Sequence, residues 1–150
     1  MLNFDQILPA VYVGTCPTND VDVKRLRSLE ITAVLNLQTD ADFRNLRINS
    51  KKLERAYQKQ ELLLFRQPIL DLDRDDLERH IREAGDFLGR ILDVGHRVYV
   101  HCTAGRERSP ATVIAYLVQH QAYDLHKAVD LVTSRRNCSP FVDVLERVYA

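Results

Sequence analysis

A cysteine and an arginine separated by five residues form the most informative pair in the sequence. Cys102 can act as a nucleophile once it loses its proton, and the guanidinium of Arg108 can grip two oxygens of one anion. A turn of this length that opens onto a helix can point successive backbone N–H groups at one anion. Tetrahedral phosphate suits such a cradle. The pair therefore predicts a phosphate-binding loop with a nucleophile at its start.

The segments on either side of this loop have the patterns of a strand and a buried helix. Residues 97–100 are typical of a short strand, and residues 109–120 are apolar nearly all round, which places that helix in the centre of the fold. Elsewhere the chain alternates in the same way, with predicted strands at 7–14, 32–37 and 62–69 and predicted helices beginning near 19–20, 75–76, 124 and 139–140.

This alternation predicts an α/β fold in a single domain, residues 1–150, with a central, mostly parallel sheet flanked by helices. Ligands of such sheets usually bind beyond the carboxyl ends of the strands. The Cys102 loop begins at one of these ends and lies between a strand and the central helix.

The run HCTAGRERS, from His101 to Ser109, matches the HCx5R(S/T) signature of one enzyme family. On this motif the chain resembles the dual-specificity phosphatases of the protein tyrosine phosphatase superfamily. The likeness extends from ILPAVYVG at residues 7–14 to RNCSP at 136–140. It implies hydrolysis of a phosphomonoester through a cysteinyl phosphate on Cys102. We expect neither a cofactor nor a metal, since Arg108 and the loop amides supply the positive charge that phosphoryl transfer needs.

The resemblance also implies roles for residues around the loop. Family enzymes carry a catalytic aspartate at a characteristic distance before the cysteine; Asp71 stands at that distance, and Asp73 is the alternative. Ser109 would donate a hydrogen bond to the sulfur, and His101 would brace the loop backbone. The residues expected to bind substrate are His101, Thr103, Ala104, Gly105, Arg106 and Glu107.

Glu107 is the unusual member of this set. An acid beside bound phosphate is unfavourable, so we expect its side chain to face solvent or to pair with a basic neighbour.

Within the family, the chain looks most like plant-type glucan phosphatases, without a carbohydrate-binding module. The likeness rests on VGTCP at 13–17, LNLQTD at 35–40 and the HCTAG of the loop, with departures at Arg106, Glu107 and Leu72. The run AGR followed by a second arginine also resembles phosphatidylglycerophosphate phosphatases. The substrates left open are a phosphoglucan, a phosphoprotein and a phospholipid headgroup, including a phosphoinositide.

Two functions of other classes compete with hydrolysis. A catalytically inactive phosphate-binding module would keep the loop but lose the cysteine, the arginine or the acid. A thiol redox or arsenate-reducing enzyme would need a resolving cysteine. Cys16 and Cys138 are more simply explained as small buried residues, although either could form a protective disulfide with Cys102.

The overall composition excludes several classes of protein. Twenty-one basic and 21 acidic side chains give a formal net charge of zero, so no basic field points to nucleic acid. The first residues lack the pattern of a secretory signal, and no apolar stretch is long enough to span a bilayer. We expect a cytoplasmic monomer whose partner is its phosphorylated substrate.

Charge is nevertheless concentrated in residues 42–60, where six basic side chains accompany only Asp42 and Glu54. If this stretch borders the pocket, it would attract an anionic substrate, and Arg106 would extend the basic surface. The basic residues are Arg44, Arg47, Lys51, Lys52, Arg55 and Lys59.

Overall fold

The computed structural model describes residues 1–150 as five strands and seven helices. The strands are β1 (Phe4–Leu8), β2 (Val11–Gly14), β3 (Ala33–Asn36), β4 (Leu63–Arg66) and β5 (Val98–His101). The helices are α1 (Asp20–Ser28), α2 (Asp40–Asn45), α3 (Ser50–Lys59), α4 (Arg74–Asp93), α5 (Arg108–His120), α6 (Leu125–Arg135) and α7 (Val142–Tyr149).

The strands form one sheet in the order β1-β2-β5-β3-β4. Only β1 and β2 pair antiparallel; β2 with β5, β5 with β3, and β3 with β4 are parallel pairs. This arrangement confirms the predicted α/β fold with a mostly parallel sheet. None of the seven helices combines the length and the apolar character that crossing a bilayer requires.

Successive residues of the central strands pack on opposite faces of the sheet, as the pleat of a strand requires. Val98 and Val100 of β5 belong to a large core that α4, α5, α6 and α7 cover. Tyr99, between them, belongs to a smaller core that α1 and α3 cover. Every residue of α5 from Arg108 to Leu117 is buried, which confirms that this helix lies in the centre of the fold.

The predicted first strand, residues 7–14, is in fact the end of one strand, a turn and a second strand of a hairpin. β1 ends at Leu8, a turn at Pro9 and Ala10 follows, and β2 begins at Val11. Because proline has no backbone N–H, it cannot donate to a strand ladder, and here it marks the reversal of the chain.

Two helix starts also differ from the prediction. α4 is capped by Asp73, whose side chain accepts a hydrogen bond from the backbone N–H of Asp76, rather than by Asp75 or Asp76. α7 begins at Val142 and not at residues 139–140. The N–H of Ser139 instead donates to the Arg106 carbonyl at 2.8 Å. That bond ties the segment before α7 to the Cys102 loop.

The basic stretch forms α2, the following turn and α3. Thr39 and Asp42 make reciprocal capping hydrogen bonds at the start of α2. Because α2 follows the carboxyl end of β3, Asp42 lies at the same edge of the sheet as the Cys102 loop, whereas α3 leads back to the start of β4 at the opposite edge. None of the six basic side chains of the stretch takes part in an ion pair.

Candidate active site

The Cys102 loop, residues 102–107, connects the end of β5 to the start of α5 and borders a cavity of about 180 Å³. We name this cavity the loop pocket. Asp71 and Leu72, which precede α4, complete its wall. The residues lining it are Asp71, Leu72, Cys102, Thr103, Ala104, Arg106, Glu107 and Arg108.

Five successive carbonyl groups of the loop accept hydrogen bonds from outside it. Nδ1 of His101 lies 2.9 Å from the Cys102 carbonyl, and the Cys16 N–H donates to Thr103 at 3.0 Å. Arg136 donates to Ala104 and Gly105 at 3.2 and 2.6 Å. The fifth bond is the one from Ser139 to the Arg106 carbonyl.

The N–H groups of residues 103–107, by contrast, donate to no other group of the protein. Holding the carbonyls outward turns the amides of such a turn inward, where they can bind one anion together with the N-terminus of α5. Arg136, with only 4% of its surface exposed, is the main brace, and its side chain also pairs with Asp5 at 3.0 Å. The sequence does not identify this role, because Arg136 resembles an ordinary basic residue at the end of a helix.

Gly105 adopts a positive φ of 66° and lies against the backbone of β2. A Cβ at this position would lie 2.5 Å from the Gly14 carbonyl oxygen, closer than any tolerable contact. Only glycine allows both the conformation and the close approach.

Cys102 is buried, with 3% of its surface exposed, and its sulfur lies 3.3 Å from Oγ of Ser109. The predicted contact between Ser109 and the thiol is therefore present. The ring of His101 is also buried, and burial lowers its pKa to about 4. A neutral ring facing the Cys102 carbonyl must carry its proton on Nδ1, so His101 hydrogen-bonds to the loop backbone and does not line the loop pocket.

The guanidinium of Arg108 is held by groups from three neighbouring segments. Its Nη1 lies 2.8 Å from both Oδ2 of Asp42 and the Ile69 carbonyl. Its Nη2 lies 3.4 Å from Oγ1 of Thr103 and 3.3 Å from Oδ1 of Asp71. In the sequence, Asp42 stands out only as an acid within the basic stretch, and its contact with Arg108 is not predicted. The Thr39-x-x-Asp42 capping pattern could have marked it as a fixed side chain.

The structure places Asp71, and not Asp73, in the loop pocket. Asp71 reaches Arg108 and remains about half exposed, whereas Asp73 caps α4. Leu72, between them, has a positive φ of 56° and is exposed, so the chain turns sharply at this point.

The expectation that Glu107 faces solvent or pairs with a basic neighbour is wrong. Glu107 lines the loop pocket, its Oε2 is enclosed and has no hydrogen-bond partner, and it forms no ion pair. Burial and the nearby Asp71 carboxylate raise its pKa, and the attraction of Arg108 and two other arginines opposes this rise. Its place directly before the first residue of α5 forces the side chain into the pocket wall.

The other two cysteines are not bonded to Cys102. Cys16 and Cys138 are free and half-buried, and burial raises the pKa of both thiols. No group of three or more histidine, cysteine, aspartate or glutamate side chains is arranged to hold a metal ion.

Comparison with known proteins identifies relatives of this chain. The family model "Dual specificity phosphatase, catalytic domain" matches residues 11–144. The chain is 38% identical over 139 residues to the chloroplastic phosphoglucan phosphatase LSF1 of Arabidopsis thaliana, covering 93% of this chain and 24% of LSF1. It is 32% identical over 152 residues to the amyloplastic phosphoglucan phosphatase DSP4 of Castanea sativa, covering 99% of this chain and 40% of DSP4.

The chain thus spans less than half the length of these two relatives. Among solved structures, PTPMT1 superposes with a TM-score of 0.77 at 24% identity, covering 98% of this chain and 92% of PTPMT1, and so shares the fold. The family match over residues 11–144 places the chain in the dual-specificity phosphatase family, as a domain of the dual-specificity and tyrosine phosphatase type.

Proposed function

We propose that this chain hydrolyses phosphomonoesters through a cysteinyl phosphate on Cys102, and that its substrate is a phosphoglucan or a phosphoprotein. One observation carries the proposal. The five outward-held carbonyls leave the amides of residues 103–107 free beside the sulfur of Cys102 and the guanidinium of Arg108. A nucleophile, an anion cradle and a cation thus meet in one pocket.

In the first step, the Cys102 thiolate attacks phosphorus in line, and the bond from phosphorus to the ester oxygen breaks. Asp71, in its protonated form, donates a proton to the leaving oxygen. Arg108 and the loop amides bind the three equatorial oxygens as the phosphoryl group transfers. The half-exposed position of Asp71 at the pocket wall supports this role, because the leaving group must project toward solvent.

In the second step, Asp71 accepts a proton from the water that attacks the cysteinyl phosphate. The sulfur–phosphorus bond breaks, inorganic phosphate leaves, and the thiolate of Cys102 is regenerated. The Ser109 hydroxyl, 3.3 Å from the sulfur, donates a hydrogen bond to the departing thiolate. Neither step requires a group beyond these side chains and one water molecule.

The likeness to two phosphoglucan phosphatases favours a phosphoglucan over a phosphoprotein. The exposed Leu72 and the small volume of the loop pocket agree with a substrate that enters by its phosphate alone. A phosphoprotein stays the second candidate, since the matching family takes its name from dual-specificity enzymes.

Phosphate release by the purified chain tests the proposal. The substrates are an aryl phosphate, phosphorylated amylopectin, phosphotyrosine and phosphoserine peptides, and phosphatidylglycerophosphate. We expect release from the aryl phosphate and fastest release from amylopectin, with Cys102→Ser inactive on both. If the wild-type chain releases phosphate from none of these substrates, the result would instead favour an inactive phosphate-binding module.

A further inference from the structure

A second, polar groove of about 370 Å³ adjoins the loop pocket and shares Ala104 and Arg106 with it. It lies between the start of β1, the Cys102 loop and the segment that connects α6 to α7. We name it the side groove; its residues are Asn3, Asp5, Thr15, Ala104, Arg106, Arg136 and Asn137.

The backbone around the side groove is fixed by hydrogen bonds. The N–H of Asn3 donates to Oγ1 of Thr15 at 3.0 Å, and the N–H of Thr15 donates to the Asn3 carbonyl at 2.9 Å. On the opposite side, Arg136 joins Asp5 to the Cys102 loop. The groove is therefore built before any ligand arrives, which reduces the conformational entropy lost on binding.

Three side chains of the groove have unused hydrogen-bonding capacity. Asn3, Arg106 and Asn137 are exposed, and none of their side chains bonds to another group of the protein. Each asparagine offers two donors and an acceptor, which matches alcohol groups that both donate and accept. The guanidinium of Arg136, by contrast, already donates from each of its three nitrogens, to Asp5 and to two loop carbonyls.

The composition of the groove disfavours other ligand groups. Ala104 is its only apolar residue, so an aromatic ring or an acyl chain would find no surface to pack against. The Asp5 carboxylate is paired with Arg136, so Arg106 carries the one unpaired charge of the groove. A ring that carries several hydroxyl groups does not need an apolar surface and can use the free asparagine side chains instead.

We propose that the side groove binds the hydroxyl-bearing ring next to the reacting phosphate, with Asn3 and Asn137 as the recognition residues. The inference rests on the proposed function, because the Cys102 loop must hold the phosphate while the groove holds the ring. The same chemistry occurs in a hexose unit of a glucan and in the cyclitol of an inositol phosphate.

Paired substitutions test the role of the groove in catalysis. In Asn3→Ala/Asn137→Ala, we expect the ratio of kcat/KM for hexose 6-phosphate to that for an aryl phosphate to fall about tenfold, the effect of losing two hydrogen bonds. Asn45→Ala, an exposed asparagine on α2 outside the groove, is the matched control and should leave the ratio unchanged. An unchanged ratio in the double variant would overturn the proposal.

A binding measurement separates the groove from the catalytic mechanism. Calorimetry on Cys102→Ser would compare inorganic phosphate, glucose 6-phosphate and inositol 1-phosphate. We expect one ring phosphate to bind about tenfold more tightly than phosphate alone, and the double variant to lose this difference. The ring phosphate that binds more tightly shows whether the side groove fits the hexose of a glucan or the cyclitol of an inositol headgroup. Equal binding of all three ligands would refute ring binding in the side groove even if the enzyme proved active. Tighter binding of a ring phosphate than of inorganic phosphate would support it even if the chain showed no turnover.

Discussion

Oδ2 of Asp42 lies 2.8 Å from Nη1 of Arg108, and both side chains are buried. Burial alone would raise the pKa of Asp42, but hydrogen bonds from Arg108 and Thr39 hold it below its usual value. The carboxylate therefore stays charged and fixes one edge of the guanidinium, while Nη2 remains on the side of the loop pocket.

Removing this carboxylate should disorder Arg108. We expect Asp42→Asn to lower kcat/KM on an aryl phosphate about tenfold or more, because the guanidinium is no longer held in place for the transition state. We expect Asp42→Ala to lower the free energy of unfolding by about 3 kcal/mol, since it removes the buried partner of the Arg108 charge and leaves only the half-exposed Asp71. Steady-state kinetics and urea denaturation measure the two effects.

Asp40→Asn is the control for Asp42. Asp40 pairs with Arg66 on the surface, with 75% of its side chain exposed, so its loss should change stability by less than about 1 kcal/mol. Similar effects from both variants would show that the Asp42 contact is unimportant.

Arg136→Met should weaken phosphate binding without removing a group that touches the substrate. With the Ala104 and Gly105 carbonyls released, the loop amides are no longer aligned, and we expect the inhibition constant for inorganic phosphate to rise about tenfold. Arg135→Met is the matched control, because Arg135 donates instead to the Ile7 carbonyl of β1. If both substitutions raise the constant equally, Arg136 has no special role in bracing the loop.

Ser109→Ala should slow the second step more than the first. Without its hydrogen bond the sulfur is a poorer leaving group, so cysteinyl phosphate should accumulate and the turnover rate should fall on the order of tenfold. Rapid-quench kinetics on an aryl phosphate would show a burst of phenol followed by slow turnover. Thr112→Val, which removes a hydroxyl bonded only to the Arg108 carbonyl in the same helix, should show no burst.

His101 should make the fold less stable in mild acid. Its pKa is about 4 in the folded protein, against about 6.5 in the unfolded chain. Between these values only the unfolded chain binds the proton, so the free energy of unfolding falls as the pH is lowered from 6.5 to 4, by up to about 3 kcal/mol.

Urea denaturation of the wild type and of His101→Asn across this pH range checks the prediction. Asparagine can still donate to the Cys102 carbonyl but does not titrate, so the variant should show a shallower pH dependence. Identical slopes for the two proteins would mean that His101 is not the group responsible.

The sequence predicts the α/β fold and the Cys102 loop because both depend on local patterns. Alternating strand and helix signals define the sheet, and the spacing of Cys102 and Arg108 lies within one turn. Asp42 lies 66 residues before Arg108 in the sequence, and Arg136 lies 28 residues after it. No local pattern shows that either side chain reaches the loop. The Asp42 contact depends on the sheet order, which brings β3 beside β5, and the Arg136 contact depends on tertiary packing that places the end of α6 beside the loop.

The side-chain direction of Glu107 was not predicted for a different reason. The prediction considered only charge, since an acid is repelled by a bound phosphate. The backbone at residue 107, however, leads directly into α5 and determines the direction of the side chain. The raised pKa of Glu107 reflects this constraint. Backbone direction here outweighs a charge preference that the side chain would follow on an open surface.

The contact between Gly105 and Gly14 makes the alignment of strands a condition for catalysis. The parallel register sets Gly14 opposite His101, so the chain leaving β5 passes over the Gly14 carbonyl, which Gly105 can approach because it has no Cβ. A slip of β2 by one residue would put a side chain where Gly14 has none, against the Tyr99 hydroxyl and the Cβ of Phe4, and would move the backbone over which the turn passes. An enzyme with every catalytic residue intact would then lose its activity through a change in strand pairing inside the sheet.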